Sequence, residues 1–169
     1  MLQLPQEAAI LLSVGSLRAL KGFQFLLSAV ERIRTSPADM DLRLYIIGDG
    51  EYRRTLQDQI DRTGLQPQVK LVGQVPHRQL FKWYNAADLF CLASSREGWP
   101  NVIMESLACG LPVVATPVGG IPEILISERY GLLLPSAEPS QLVDHLQAGQ
   151  EDHKSPAKPF PTMHDRDAG

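Results

Sequence analysis

Short apolar segments alternate with amphipathic segments along most of the chain. Six of the apolar segments are rich in β-branched residues or leucine, which is typical of β-strands. They cover residues 9–14, 42–47, 69–72, 89–93, 112–116 and 131–135. Four of the six are apolar without strict alternation, as expected of strands that are covered on both faces. This pattern predicts a sheet with helices packed over it.

Four helices are predicted between these strands, because apolar residues recur there every three or four positions. They cover residues 23–33, 52–60, 77–86 and 101–109. Gly64 and Gly110 follow the second and the fourth of them, where glycine commonly ends a helix. The alternation of strand and helix predicts an α/β fold with a doubly wound, mostly parallel, Rossmann-like sheet and right-handed crossovers.

The length of 169 residues favours one domain with a sizeable core. We assign residues 1–8 to an N-terminal extension and residues 9–147 to the domain. Residues 148–169 lose apolar periodicity and gain proline and charge, so we expect a disordered or loosely packed tail there.

The charge pattern, the apolar runs and the cysteines disfavour several classes of protein. The net charge of −3, with interspersed signs, gives no broad basic field that would favour nucleic acid or an anionic membrane. No apolar run approaches the roughly 20 residues of a transmembrane span, and nothing at the N-terminus indicates export. Cys91 and Cys109 are isolated, so neither a zinc site nor a disulfide framework is indicated. We interpret both as small core residues of a reduced, cytoplasmic protein.

Ligands of parallel sheets bind beyond the carboxyl ends of the strands, so the loops that follow the strands carry the functional information. Five of these loops contain glycine, and they cover residues 15–22, 48–53, 73–78, 94–101 and 117–122. Any one of them is explained by turn chemistry alone. Together they predict a rim at which the backbone can approach a ligand closely.

Two of the loops resemble nucleotide-binding motifs without matching them. "GDGEYR" has Arg53 in place of the third glycine of a dinucleotide fingerprint, which disfavours an NAD fold. "GSLRALKG" lacks the ending of a phosphate-binding P-loop. Lys21 nevertheless stands at a predicted helix start, where a lysine and backbone N–H groups can hold phosphate together. The alternative for Lys21 is a solvated surface lysine.

The fourth loop leads into a predicted helix start. Pro100 disfavours helical geometry at Trp99, and Asn101 is predicted to cap the following helix. The first-turn N–H groups, around Val102 and Ile103, should then point out of the rim and favour an anion.

Glu97 and Glu105 flank this helix start, with seven residues between them. Carboxylates accept hydrogen bonds and sugar hydroxyls donate them, so both glutamates could contact one sugar-containing ligand. A glycosidase pair would need a separation of roughly 5 to 9 Å, which the spacing leaves open. A third interpretation is that both glutamates are ordinary surface residues.

The stretch "EGWPNVIMESLACGLPVVATPVGGIPEIL" closely resembles the signature of the retaining family-4 glycosyltransferases, which has two glutamates separated by seven residues and then GGIPE. "VGSLRALKG", "YIIGDG", "VGQVPH" and "NAADLFCLAS" match the other landmarks of that family in order and spacing. The resemblance covers residues 9 to about 147. It implies the C-terminal, donor-binding half of a GT-B enzyme, in which two Rossmann-like domains face each other across a cleft.

The resemblance also implies roles for individual residues. Glu97 would lie against the donor sugar, Glu105 would bind ribose hydroxyls, and Lys21 would neutralise the diphosphate leaving group without a metal or other cofactor. Glu97 and Lys21 are thus the implied catalytic residues. The implied substrate-binding residues are Gly15, Ser16, Arg18, Gly50, Val75, Gly98, Trp99, Pro100, Asn101, Val102 and Glu105, with the nucleobase near Gly50 and Val75.

The chain departs from the family pattern in two ways. Many members have arginine where this chain has Ser16, so either Arg18 replaces that arginine or the site is less cationic. The N-terminal acceptor-binding domain and the usual C-terminal helix have no counterpart in these residues.

The implied function is donor binding in a retaining hexosyltransferase of polysaccharide biosynthesis, whose acceptor is a glycan or glycolipid. The expected partners are a nucleotide diphosphate sugar and the missing domain. The protein is expected to be cytoplasmic and to contact the inner membrane face through that missing domain. The alternative is a nucleotide-sugar-binding module without transfer activity.

Overall fold

The computed structural model describes residues 2, 4–36, 40–128, 130–136, 138, 141 and 143–144. The predicted tail at residues 148–169 lies outside the described residues. Within the described part the strands are β1 (Ala9–Val14), β2 (Leu42–Ile47), β3 (Val69–Gly73), β4 (Leu89–Leu92), β5 (Val113–Ala115) and β6 (Gly131–Leu133). All six predicted strands are therefore confirmed, with ends that differ by at most two residues.

The described helices are α1 (Phe23–Thr35), α2 (Arg53–Thr63), α3 (His77–Ala86), α4 (Asn101–Ala108) and the short α5 (Ile121–Ile124). The first four are those that the apolar periodicity predicts. Gly64 ends α2 in the left-handed conformation, with φ 66°, which confirms its predicted role. The periodicity did not predict α5, because one helical turn is too short to show a period. A 3₁₀ turn, Ala19–Lys21, precedes α1.

The strands form one sheet in the order β3-β2-β1-β4-β5-β6, and all five strand pairs are parallel. This order belongs to doubly wound nucleotide-binding folds. The direction in which strands are added reverses at β1, which pairs with β2 on one side and with β4 on the other. The loops after β1 and β4 therefore meet at the switch point, where such folds bind ligands.

Two hydrophobic clusters cover the two faces of the sheet. In β1, Leu11 belongs to the cluster that contains the buried residues of α1 and α2, whereas Leu12 belongs to the cluster that contains those of α3 and α4. Successive strand residues point to opposite faces of the sheet, and here both faces are covered by helices and buried. The double cover explains why these strands are apolar without alternation, as the sequence predicts.

Candidate functional site

The five glycine-containing loops lie at one edge of the sheet and are joined by backbone hydrogen bonds. Their donor and acceptor pairs are Gly15 N to Ile47 O (2.9 Å), Leu17 N to Asp49 O (2.9 Å), Gly48 N to Gly73 O (2.8 Å), Ser95 N to Leu20 O (2.8 Å) and Gly120 N to Gly98 O (2.8 Å). The predicted rim is therefore a continuous surface. We call it the loop rim, comprising residues 15–22, 48–53, 73–78, 94–101 and 117–122.

Lys21 and Glu97 meet at the switch point of the sheet. The Lys21 ammonium lies 2.6 Å from Glu97 Oε1, and the Ser94 hydroxyl donates to the same oxygen at 2.6 Å. The two charged side chains retain 20% and 7% of their exposure. Lys21 is thus a paired and largely covered cation rather than a solvated surface lysine.

Ser94 is held in place by the layer beneath it. Its side chain is fully buried, and its backbone carbonyl accepts a hydrogen bond from Thr116 Oγ1 at 2.5 Å. Both hydrogen bonds to the Glu97 carboxylate use Oε1. Within the described residues no hydrogen bond involves Glu97 Oε2, so this oxygen is left to accept from a ligand.

Gly119 and Gly120 allow the segment around Glu97 to pack tightly. Gly119 has φ +58°, and a Cβ there would lie 2.1 Å from the Glu97 carbonyl oxygen. A Cβ on Gly120 would lie 2.3 Å from Cε3 of Trp99. The indole of Trp99 therefore rests against the backbone of Gly120, while 52% of the residue stays exposed at the rim.

Glu105 lies on α4 and has different partners from Glu97. Its Oε2 accepts a hydrogen bond from the Tyr84 hydroxyl at 2.8 Å, and its Oε1 lies 2.9 Å from His77 Nε2. Burial raises the pKa of Tyr84, and the hydrogen bond and charge of Glu105 raise this pKa further. Burial and the Glu105 charge likewise raise the pKa of the Cys109 thiol.

The start of α4 differs from the prediction. Asn101 does not cap the helix but is its first residue, and Pro100 holds the capping position with extended backbone. The Pro100 carbonyl accepts from Ile103 N–H at 3.1 Å, so backbone rather than the Asn101 side chain closes the turn. No side-chain hydrogen bond caps α4. The Ile103 N–H, which was predicted to point out of the rim, is therefore already paired within the turn. Within the described residues the Val102 N–H donates no hydrogen bond, so it is left for a ligand at the rim.

The remaining predicted residues divide into two groups. A depression of about 310 Å³ brings Gly15, Ser16 and Val75 together, with Val14, Ile47, Gly48, Asp49, Gln74 and Leu80 completing its lining. Gly50 lies beside this lining, where its N–H donates to Asp49 Oδ1 at 2.8 Å. Arg18 instead points to Glu51 at 3.9 Å, and both side chains are mostly exposed.

Lys21 connects this depression to Glu97. A Cβ on Gly15 would lie 3.9 Å from both Cδ and Cε of Lys21, so the lysine stem passes beside Gly15.

A second cavity, of about 240 Å³, opens at the amino end of β2, where Met40, Asp41 and Leu42 line it together with the end of α1. None of the predicted site residues lines that second cavity.

Ser94, Tyr84 and His77 contact the two glutamates, and sequence reasoning did not assign them to the site. Ser94 stands three residues before Glu97, so its proximity in the chain was an available signal. Tyr84 is 21 residues from Glu105, and its period on α3 indicates only that it faces the core. Its hydroxyl contact depends on how α3 packs against α4.

Two properties of the described part bear on other kinds of site. None of its helices combines the length and the apolar character needed to cross a membrane. The described residues also contain no cluster of three or more His, Cys, Asp or Glu side chains placed to hold a metal ion.

Curated relatives match most of this chain but extend well beyond it. D-inositol 3-phosphate glycosyltransferase of Pseudarthrobacter chlorophenolicus is 33% identical over 144 residues, which is 84% of this chain and 34% of that protein. The enzyme of the same name from Streptosporangium roseum is 34% identical over 145 residues, or 82% of this chain and 33% of that protein. The chain thus spans about a third of the length of these relatives.

Solved structures resemble the fold over a similar range. Sucrose-phosphate synthase of Thermosynechococcus elongatus has a TM-score of 0.79 and 31% identity, covering 88% of this chain and 38% of that one. HepE of Anabaena in complex with UDP has a TM-score of 0.75 and 28% identity, covering 90% of this chain and 42% of that one.

A third structure is itself a separate domain. The C-terminal domain of a glycosyl transferase group 1 family protein of Francisella tularensis has a TM-score of 0.74 and 25% identity, and the match covers 85% of this chain and 76% of that one. The family described as glycosyl transferases group 1 matches residues 8–152. The fold is therefore that of a C-terminal GT-B domain, and the chain belongs to the glycosyl transferases group 1 family.

Proposed function

We propose that this chain is the donor-binding domain of a retaining glycosyltransferase and holds a nucleotide diphosphate sugar on the loop rim. The observation that carries the proposal is the triad of Lys21, Ser94 and Glu97, in which a cation and a hydroxyl fix one carboxylate oxygen and leave the other unused. HepE of Anabaena, which shares the fold, was solved with UDP and with UDP-glucose. These similarities support a uridine nucleotide as the first ligand to test.

The diphosphate would lie between Lys21 and the start of α4. The first-turn N–H groups of α4 carry partial positive charge, and no side chain caps them. When the bond to the sugar breaks, negative charge grows on the departing diphosphate. Lys21 and these N–H groups would stabilise that charge without needing to reorganise. Lys21 is already ordered by Glu97, which Ser94 holds in place, so little conformational entropy is lost when Lys21 meets the phosphate.

The two glutamates would bind hydroxyl groups at different parts of the donor. Glu97 Oε2 is available to accept from a hydroxyl of the donor sugar, whereas Glu105 would accept from the ribose hydroxyls. The base would lie in the depression lined by Gly15, Ser16 and Val75, with Gly50 at its margin. Trp99, half exposed beside Glu97, would border the sugar.

The reaction itself would need a second domain. Transfer requires donor and acceptor in attack geometry and a cleft without water, and positioning alone accounts for about 7–11 kcal/mol of barrier reduction. The chain spans about a third of its curated relatives, so we propose that these 169 residues bind the donor and do not transfer the sugar unaided. The other domain would bind the acceptor, a glycan or glycolipid, and would contact the cytoplasmic membrane face. The transfer would need no metal cofactor.

Titration calorimetry of the 169-residue chain with UDP, ADP, GDP and UDP-glucose tests donor binding. We expect one site for the matching nucleoside diphosphate, with affinity unchanged by EDTA. Absence of binding by all four ligands would refute the proposal. A transfer assay with an N-terminal acceptor domain added then distinguishes an enzyme domain from a binding module, which would bind the donor and give no product.

A further inference from the structure

The two contacts that hold Glu105 differ in burial. Tyr84 retains 2% of its exposure and donates to Oε2, whereas the His77 side chain is 80% exposed and contacts Oε1. An exposed imidazole can swing away at little cost, while a buried phenol cannot. One oxygen of Glu105 is therefore fixed from inside the domain, and the other is held only from the solvent side.

Tyr84 is itself anchored by the core. Its ring packs against the ring of Phe90 in β4, with centroids 6.0 Å apart and planes inclined at 59°, and Phe90 is fully buried. An ionised carboxylate accepts hydrogen bonds and cannot donate them, so the Tyr84 hydroxyl must be the donor. A hydrogen bond to a charged acceptor in a largely covered site is among the stronger kinds. Tyr84 thus connects the orientation of Glu105 to the sheet.

We propose that Tyr84 is a positioning residue for the nucleotide, whose hydroxyl orients Glu105 so that Oε1 can accept from the ribose diol once His77 moves aside. This inference rests on the function proposed above. A glutamate on a helix surface populates several rotamers, and ordering it at the moment of binding weakens affinity. The Tyr84 contact has already selected one rotamer in the folded chain.

The test uses calorimetry to compare UDP with 2′,3′-dideoxy-UDP. If ADP or GDP binds more tightly than UDP, that nucleotide and its 2′,3′-dideoxy form are compared instead. Tyr84→Phe should weaken UDP binding about tenfold, the loss expected for one well-placed hydrogen bond to a charged group. It should change the affinity for 2′,3′-dideoxy-UDP less than about twofold, because that ligand lacks the hydroxyls that Glu105 binds. In a Glu105→Ala background, Tyr84→Phe should cause no further loss, because the two residues act through one contact.

Tyr45→Phe is the matched control. Tyr45 is another buried tyrosine, on β2, and its ring packs against Trp83. Within the described residues its hydroxyl forms no hydrogen bond to Glu97 or Glu105. Tyr45→Phe should leave the affinities for UDP and 2′,3′-dideoxy-UDP unchanged. Thermal melts should show that Tyr84→Phe and Tyr45→Phe both fold. Equal weakening of both ligands by Tyr84→Phe would indicate a purely structural clamp and overturn the inference, as would unchanged UDP affinity.

The wild-type data separate this inference from the proposed function. If wild-type chain binds UDP and 2′,3′-dideoxy-UDP equally well, the role of Glu105 and Tyr84 toward ribose is refuted while donor binding stands. If wild-type chain binds no nucleoside diphosphate, both proposals are refuted together.

Discussion

Lys21 and Glu97 form an ion pair at 2.6 Å although they stand 76 positions apart in the chain. Lys21 ends the turn after β1, and Glu97 lies in the loop after β4. The two strands are neighbours only because the strand order reverses at β1. The pair therefore places a cation and a hydrogen-bond acceptor at the switch point, and these are the groups through which we propose that the chain binds a sugar diphosphate.

Lys21→Ala should weaken binding of UDP by about ten- to a hundredfold, because a charge-assisted contact to the diphosphate is lost. Uridine, which has no phosphate, should bind with unchanged affinity. Calorimetry with both ligands measures the difference. Lys70→Ala, which removes an exposed lysine from β3, is the matched control. Unchanged UDP affinity in Lys21→Ala would contradict the diphosphate assignment.

Ser94→Ala should lower the free energy of unfolding by about 1–3 kcal/mol, because a buried hydroxyl that donates to a carboxylate is removed. It should also reduce the preference for UDP-glucose over UDP, since Glu97 loses one of its two anchors. Urea unfolding and calorimetry measure the two effects. Ser13→Ala is the control: Ser13 is equally buried and donates to the Cys91 carbonyl, so it should affect stability without changing ligand preference.

Arg18→Ala should weaken UDP binding several-fold and leave uridine binding unchanged, if Arg18 supplies the cation that Ser16 lacks. Among the described residues the Arg18 side chain pairs with the exposed Glu51, at 3.9 Å, and such surface pairs are weak enough to release the arginine to a phosphate. The matched control is Arg62→Ala, an exposed arginine at the end of α2. Equal small effects of Arg18→Ala on both ligands would identify it as an ordinary surface residue.

Gly120→Ala should displace the indole of Trp99, because the new Cβ would lie 2.3 Å from the ring. Overpacking of this kind costs about 1–3 kcal/mol of stability. Tryptophan emission and acrylamide quenching should report the change in exposure of Trp99. Gly98→Ala serves as the steric control for this readout, since a Cβ there meets nothing within 4 Å. An unshifted spectrum in Gly120→Ala would show that the indole does not rest on this glycine.

The Cys91 thiol should resist alkylation by iodoacetamide at pH 8 in the folded chain, because burial raises its pKa from 9.0 to about 12. Cys109, which is only partly buried, should react slowly. Because the pKa of the Cys91 thiol is higher in the folded than in the unfolded chain, its contribution to the free energy of unfolding is fully present below about pH 9. This contribution is lost as the pH rises toward 12, since the thiol then ionises first in the unfolded chain. Cys91→Ala should therefore lose less stability than wild type between these pH values, as followed by urea unfolding. Fast labelling of native Cys91 would contradict its buried position.

The amino-acid pattern alone determined the fold class and most of the elements, because the periods of strand and helix are local properties. Apolar runs such as residues 42–47 and the period of residues 23–33 need no knowledge of neighbours to be interpreted. The positions of the loops at one rim followed as well, since parallel strands share a carboxyl edge. The motif around Glu97 and Glu105 indicated the family for the same reason: its spacing lies within one short segment.

Tertiary structure alone decided the long-range partners of the functional side chains. Nothing local pairs Lys21 with Glu97, because their contact depends on the order of the strands. Nothing local pairs Tyr84 with Glu105, because that contact depends on the packing of α3 against α4. The misassigned cap has a similar cause: Asn101 is a favourable capping residue by type, but the backbone of Pro100 closes the turn first. The capping preference of a residue type is an average over many proteins, whereas the hydrogen-bond partners of a residue are set by the distances within one folded structure.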